Sequence, residues 1–247
     1  MIDLHCHILP NMDDGSENSH VSLEMAMMAE QNGINVIVAT PHFTDYNNVD
    51  EFVYIRNDKA IALNEDIRKA GCNVAIACGA EVFLDSHIFT ADNLDELTIN
   101  GSRHMLCEFT LKPFDTQKAL LYVEELISRD YIPIIAHPER YVTFAQNPQI
   151  VNELWDMGCR FQINASGLAG SGGRAMQDFS LELIQRGFAD FVSTDAHSAT
   201  VRRNNMLDKI RDFPEELSRE KVEYLIHTAP LAILKKEILP PKEVEYF

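Results

Sequence analysis

The sequence predicts an α/β fold with a parallel sheet, arranged as one closed or nearly closed (β/α)7, TIM-like barrel. Three observations predict it. Seven short runs rich in Val and Ile alternate with helical stretches. Most of the runs are apolar on both faces, as strands of a parallel sheet covered on both sides must be. No linker-like tract, repeat or low-complexity segment divides the 247 residues, so a single domain over 1–247 is expected. An open doubly wound sheet has the same element order and is the alternative.

The predicted strands cover residues 1–5, 35–40, 73–79, 104–108, 131–136, 160–164 and 189–193. The first helix is expected over 19–32. There Val21, Met25 and Met28 share a face, Asn18 or Ser19 can cap, and Gly33 can stop the helix. A second helix, over 51–70, ends at Gly71. Helices over 116–129, 148–157 and 174–186 repeat the scheme, and the last two are followed by Gly158 and Gly187. Helices over 202–212 and 218–227 complete the fold. The tail from residue 228 carries Pro240, Pro241 and an acidic end, and is expected to be peripheral.

Composition excludes several classes. With 46% hydrophobic and 24% charged residues, the chain reads as globular rather than disordered. No apolar run reaches the ~18 residues of a membrane span. The start, MIDLHCHILP, lacks a secretory pattern. A formal charge of -17 opposes binding to nucleic acid. Cysteines at 6, 72, 78, 107 and 159 are odd in number and form no CxxC pair, so a reducing, cytoplasmic location is expected.

The informative pattern lies at the strand ends. His5 and His7 sit two apart at the end of the first strand, so their side chains point the same way. The second strand ends in Thr40-Pro41-His42, the third in Gly79-Ala80-Glu81 and the fourth in Cys107-Glu108. His137 follows the fifth, and Asp195 and His197 follow the seventh. Only the sixth, ending Asn164-Ala165-Ser166, brings no strong ligand. Six of seven strands therefore send His, Asp or Glu to the rim where barrel active sites form.

The candidate metal ligands are His5, His7, Asp14, His42, Glu81, Glu108, His137, Asp195 and His197. Asp13 is the alternative to Asp14. A catalytic zinc-type site takes about three protein ligands, so this set suits two or three divalent ions. Imidazole and carboxylate without thiolate favour Mn, Fe or Zn. Strand alternation turns Cys6 and Cys107 away, as core thiols. Arg140 and Arg202 follow His137 and His197 closely, and a guanidinium can grip two phosphate oxygens at once. His20, His87, His104 and His227 fall outside the pattern and read as surface or hydrogen-bonding residues.

The glycine-rich stretch 166–173 lacks a Walker Lys and does not fit GxGxxG, so it reads as a mobile rim loop. No cysteine has an Arg six positions on, as a cysteine-based phosphatase requires, and no GxSxG elbow is present.

The motifs HCHILPNMDDG, ATPHF, GAEVF, CEF, AHPERY and TDAH resemble the polymerase-and-histidinol-phosphatase (PHP) superfamily. The likeness is to its branch of manganese-dependent bacterial protein tyrosine phosphatases of the capsular polysaccharide type, and runs from residue 1 to about 203. It implies a distorted barrel, the PHP fold, with three metals. His5, His7, Glu81 and Asp195 would hold the first ion. Glu81, Glu108 and His137 would hold the second, and Asp14, His42 and His197 the third. Arg140 and Arg202 match phosphate-handling arginines. The implied partner is a phosphotyrosine protein, namely a membrane-associated bacterial tyrosine kinase governing exopolysaccharide export. An oligomer is compatible with this reading, and insertion into the membrane is not expected. The stretch after His42, FTDYNNVDEF, departs from the family's usual loop.

The expected reaction is attack of metal-activated hydroxide on a phosphotyrosine monoester, with no covalent phosphoenzyme. The first rival is a small-molecule phosphatase of the same superfamily, such as a histidinol-phosphate phosphatase. A metal-dependent nuclease or amidohydrolase, and a non-catalytic metal-binding regulator, are the others.

Overall fold

Two of the seven predicted strands break near their ends, and these breaks divide the sheet. In the computed structural model, which describes residues 1–211 and 217–247, the chain runs in chain order as follows. β1 (Ile2–Cys6), α1 (Ser19–Gln31), β2 (Val36–Ala39), β3 (His42–Phe43), α2 (Val49–Lys69), β4 (Ala75–Cys78) and β5 (Glu81–Phe83) come first. β6 (His104–Glu108), α3 (Thr116–Ser128), β7 (Ile132–Ala136), α4 (Val142–Gln146), α5 (Gln149–Asp156) and β8 (Arg160–Asn164) follow. α6 (Ala165–Leu168), α7 (Arg174–Gln185), β9 (Ala189–Ser193), α8 (Met206–Arg211), α9 (Arg219–Glu223) and α10 (Ala229–Leu234) complete it.

All strand pairs are parallel. They form a three-stranded sheet, β1-β2-β4, and a six-stranded sheet, β3-β5-β6-β7-β8-β9. The chain passes from the first sheet to the second at Thr40-Pro41 and again at Gly79-Ala80. Pro41 has no N–H to donate, which interrupts a ladder. Gly79 lies so close to its neighbour that a Cβ would meet Val38 Cγ1 at 3.1 Å. Two bonds carry the pairing across the step: Gly79 N–H donates to Ala39 O (2.9 Å) and Glu81 N–H to Pro41 O (3.1 Å).

No regular ladder joins β1 to β9. One bridge, Cys6 to Ala196, links β1 to the segment after β9. Asp195 N–H donates to His5 O, and His7 N–H to Ala196 O, both at 2.8 Å. The buried Asp3 carboxylate supports this seam, accepting from Thr194 N–H (3.0 Å) and Thr194 Oγ1 (2.5 Å). The expectation of an α/β fold with parallel strands therefore holds, while the ladder between first and last strands is not continuous.

Strand alternation sorts the core. Ile2, Leu4, Val38, Leu106, Ile134, Ala136 and Phe191 form one cluster. Ile37, Ala39, Met105, Cys107, Ile135, Phe161 and Ile163 face the other way and pack with the helices. Asn18 caps α1 by accepting from His20 N–H and Val21 N–H.

Several expectations need correcting. α8 begins at Met206, because the Arg202 carbonyl is taken by His197 N–H and Ser198 N–H. The predicted end of that helix, residue 212, lies outside the described residues. α6 occupies the start of the glycine-rich stretch, and short 3₁₀ turns fill residues 86–101. The helix expected to stop at 227 continues through a widened turn, 224–228, into α10. Pro230 removes one backbone donor there, which accounts for the widening.

The tail is not peripheral. Ala229, Ile233 and Leu239 are buried in the same cluster as Ile2 and Leu4. Burying each Ile or Leu stabilises the fold by about 1.5–3 kcal/mol. Lys242 bonds Asp190 Oδ1 at 2.6 Å, and Phe247 stacks on Phe188 with centroids 5.6 Å apart. Among the described residues no helix is long and apolar enough to cross a membrane.

Candidate metal centre

The centre forms where β1, β6, β7 and β9 end and where the short strands β3 and β5 begin. His5, His7, Glu81, His137 and Asp195 are buried, while Glu108, His42 and Asp14 reach solvent to increasing degrees. Glu81 is the hub. Its Oε2 lies 3.1 Å from His5 Nε2, 3.2 Å from His7 Nε2 and 3.1 Å from His42 Nδ1. Its Oε1 lies 2.9 Å from His137 Nε2. Asp195 Oδ1 stands 3.4 Å and 3.5 Å from the Nε2 atoms of His5 and His7. Glu108 reaches His42 Nδ1 at 2.9 Å and His137 Nε2 at 4.0 Å. Asp14 Oδ1 lies 3.4 Å from Nε2 of both His42 and His197.

All nine sequence-predicted ligands thus come together. Four groups of ligand atoms are compact enough for one ion each: His7-Asp14-His42-His197, His5-His7-Glu81, His5-His137-Asp195 and His42-Glu81-Glu108. His42 joins Glu81 and Glu108 here, the pair to which the resemblance assigned His137.

The donor set suits divalent cations. Glu81 Oε2, His42 Nδ1 and His197 Nε2 are buried without a hydrogen-bond partner, despite the short distances. His5 Nε2 and His7 Nε2 stand 3.2 Å apart. Nitrogen and oxygen lone pairs converging in this way repel unless protons or a cation sit between them.

The charges show the same demand. Burial opposes charge on His7, but the Asp13 hydrogen bond and Glu81 outweigh it and raise its pKa to about 9. Burial opposes charge on His42 as well, and Glu108 and Glu81 raise it to about 11. Burial would raise Glu81, yet the charge of His5, the hydrogen bond from His137 and the close approach of His42 hold it well below the carboxylate range. Asp195 is held down against burial by His5 and His137. Burial and the neighbouring charge of His7 push His197 down to about 3.

Hydrogen bonds to Gln162, Asp13 and the Asp195 backbone orient the imidazoles. His5 Nδ1 faces Gln162 Oε1 at 2.8 Å, His7 Nδ1 faces Asp13 Oδ2 at 2.6 Å, and His197 Nδ1 faces the Asp195 carbonyl at 3.1 Å. An acceptor at Nδ1 keeps the proton there and turns the Nε2 lone pair inward. Gln162 Nε2 donates to Asn164 Oδ1, and Asn164 Nδ2 donates to Asp195 Oδ2 at 2.7 Å. The sixth predicted strand thus brings no ligand but holds two of them. Its signal was the period-two pair Gln162 and Asn164 inside an apolar run.

Asp13 sits in a loop folded tightly over His7. Ser16 N–H donates to His7 O, and a Cβ on Gly15 would collide with His7, so only glycine fits. His137 (φ 35) and Asp195 (φ 51) both have left-handed backbones.

Arg140 and Arg202 meet on the outer oxygen of Asp195. Arg140 Nη1 lies 3.1 Å and Arg202 Nη2 2.5 Å from Oδ2. Both line a cavity of about 310 Å³. Cys6 and Cys107 are buried, and burial pushes both thiols up. His104 departs from expectation, being buried with neither ring nitrogen hydrogen-bonded.

Comparison with known proteins agrees with this geometry. The chain is 33% identical to tyrosine-protein phosphatase YwqE of Bacillus subtilis, over 99% of this chain and 97% of that protein. It superposes with TM-score 0.83 and 30% identity on a crystal structure from work on YwqE of B. subtilis and CpsB of Streptococcus pneumoniae, described as metal-dependent tyrosine phosphatases. That match covers 99% of this chain and 100% of the other. The histidinol phosphate phosphatase of Lactococcus lactis shares the fold alone, with TM-score 0.51 and 15% identity over 85% of this chain and 92% of that one. The model of the capsular polysaccharide synthesis family CpsB/CapC matches residues 1–235, and the chain belongs to that family.

Proposed function

We propose that the chain is a metal-dependent protein tyrosine phosphatase acting in the cytoplasm on a bacterial tyrosine kinase that governs capsule or exopolysaccharide synthesis. The observation that carries this reading is the hub at Glu81, where three imidazole nitrogens approach one carboxylate oxygen within 3.2 Å without hydrogen bonds. In this reading residues 1–247 form a single domain, a distorted (β/α)7 barrel whose seams are the two strand breaks and the bridge at Cys6.

His5, His7, Glu81 and Asp195 would hold one ion. Glu81 and Glu108, with His137 and His42 beside them, would hold a second, and Asp14, His42 and His197 a third. Manganese is the proposed metal. Bound divalent ions would supply Lewis acidity and acidify water at neutral pH.

The chain's own residues do the rest. Asp13, Gln162 and the Asp195 carbonyl hold protons at Nδ1 of His7, His5 and His197. Arg140 and Arg202 gather phosphoryl oxygens and offset the charge that builds on them. Tyrosinate leaves with a pKa of ~10, so no general acid is assigned. The buried thiols take no part.

The test compares a phosphotyrosine peptide with histidinol phosphate, before and after chelation. The expected result is rapid turnover of the peptide, loss on chelation, recovery with manganese, and indifference to thiol alkylation. Preference for histidinol phosphate would favour the small-molecule reading. Activity that survives chelation would sink the metal assignment.

A further inference from the structure

Beside Asp195 lies the cavity of about 310 Å³ that the reaction uses only at its edge. Of the nine candidate ligands, only Asp195 lines it. It therefore opens to one side of the centre. Its volume equals about ten water molecules, room for a side chain rather than a single oxyanion.

Three cations face this space, Arg140, Arg202 and Lys209, against the carboxylates of Asp195 and Glu139. In a chain of net charge -17 that is a local reversal of sign. Arg140 and Arg202 are already engaged by Asp195 Oδ2. Lys209, on α8, is half-buried, and no hydrogen bond or ion pair ties its ammonium group to another described residue. Burial and the nearby charges of Arg203 and Arg202 lower its pKa. A partly desolvated cation beside other cations gains most from an arriving anion.

The lining also includes the glycine-rich stretch, through Ser166, Gly167, Ser171 and Gly172. A Cβ on Gly172 would collide with Met176, which also lines the cavity. Small residues thus keep the space open, and the serine hydroxyls can donate into it.

We propose that this cavity receives a second anionic group of the substrate, carried by a residue flanking the phosphotyrosine, and that Lys209 is the specificity-determining cation. The inference rests on the phosphatase reading. A carboxylate and a second phosphate share the chemistry that Lys209 would recognise.

The experiment uses the manganese-loaded full chain with three phosphotyrosine peptides, flanked by Glu, by a second phosphotyrosine or by Gln, and with p-nitrophenyl phosphate. Wild type should show a lower KM for the two anionic peptides than for the Gln peptide. The arm with the lower KM identifies the preferred source. Lys209→Met should raise KM for anionic peptides roughly tenfold, the scale of one charge-assisted hydrogen bond. It should leave kcat and the p-nitrophenyl phosphate reaction unchanged. Ser171→Asp, an independent variant elsewhere in the lining, should reject anionic peptides and spare the Gln peptide. An active wild type with no preference among peptides overturns this proposal alone. Equal losses on all substrates overturn it too, since Lys209 would then act on the scissile group. A wild type inert toward every phosphotyrosine peptide overturns the phosphatase reading beneath it.

Discussion

The two ends of the strands treat buried charge in opposite ways. At the floor, Asp190 is buried and fully accompanied. Lys242 Nζ lies 2.6 Å from Oδ1, and Tyr224 donates to the same oxygen at 2.7 Å. Even Arg160 Nη1 and Asp190 Oδ2, which lack hydrogen bonds, face each other at 3.7 Å. At the rim pairing is incomplete: Asp195 Oδ2 meets two arginines and Glu81 Oε1 bonds His137, but Glu81 Oε2 and His42 Nδ1 crowd together without a hydrogen bond. Floor charges fasten the tail to the fold. Rim groups are held by their supports, Asp13, Gln162 and Asn164, in an arrangement that needs protons or a cation between the lone pairs. Burial is common to both ends; what differs is the convergence of three imidazole nitrogens on one unbonded carboxylate oxygen, which the rim shows and the floor does not.

The largest effects should come from breaking each end at its hub. Glu81→Gln should lower phosphatase turnover by about 10³-fold or more, without lowering the stability of the metal-free fold. Asp190→Ala should do the reverse. It strands the partly buried Lys242 and Arg160, costs roughly 1–3 kcal/mol, and leaves kcat of the folded enzyme intact. Steady-state kinetics and denaturant unfolding on both variants decide the matter. A stable but inactive Asp190→Ala would contradict the distinction.

A smaller effect tests the supports. Gln162→Leu and Asp13→Ala should each weaken metal binding by about 10–100-fold while the fold survives. Calorimetric titration of the chelated protein measures this, and unchanged affinity would show that the imidazoles hold their orientation unaided.

The candidate rim ligands were legible because alternation and strand ends are printed in the sequence: His5 with His7, His42 after Pro41, and Asp195 with His197. The supports were less so, because Gln162 and Asn164 are neutral amides that bind no metal themselves. Pro41 and Gly79 marked the strand breaks, but the second sheet starts only after them, with His42 and Glu81, and that pairing is tertiary. The tail misled because its proline pair and acidic end describe local chemistry. Its burial depends on Asp190 and Phe188, far away in the sequence. His104 looked ordinary for the same reason, since nothing nearby in sequence declares its lack of partners.

The smallest prediction uses histidine titration. Burial, Arg160 and Arg103 lower His104 to about 4, below the ordinary 6.5. Its neutral form is the one the fold accepts, so its contribution is full above pH 6.5 and fades as pH falls toward 4. His7 and His42, raised to about 9 and about 11, have the opposite sign in metal-free protein. Their contribution is full below 6.5 and fades as pH rises through those values. Urea midpoints across pH should show His104→Phe flattening only the acid limb. A change confined to the alkaline limb would refute the assignment.

The left-handed backbones at His137 and Asp195 carry a consequence for engineering. Each costs roughly 1–2 kcal/mol with a side chain attached, and glycine would relieve both. A screen rewarding heat resistance alone should therefore enrich glycine at codon 137 and return hardy, inert enzymes, whereas at codon 195 glycine would also strand Arg140, Arg202 and Asn164. Libraries built for durability should keep both positions constant.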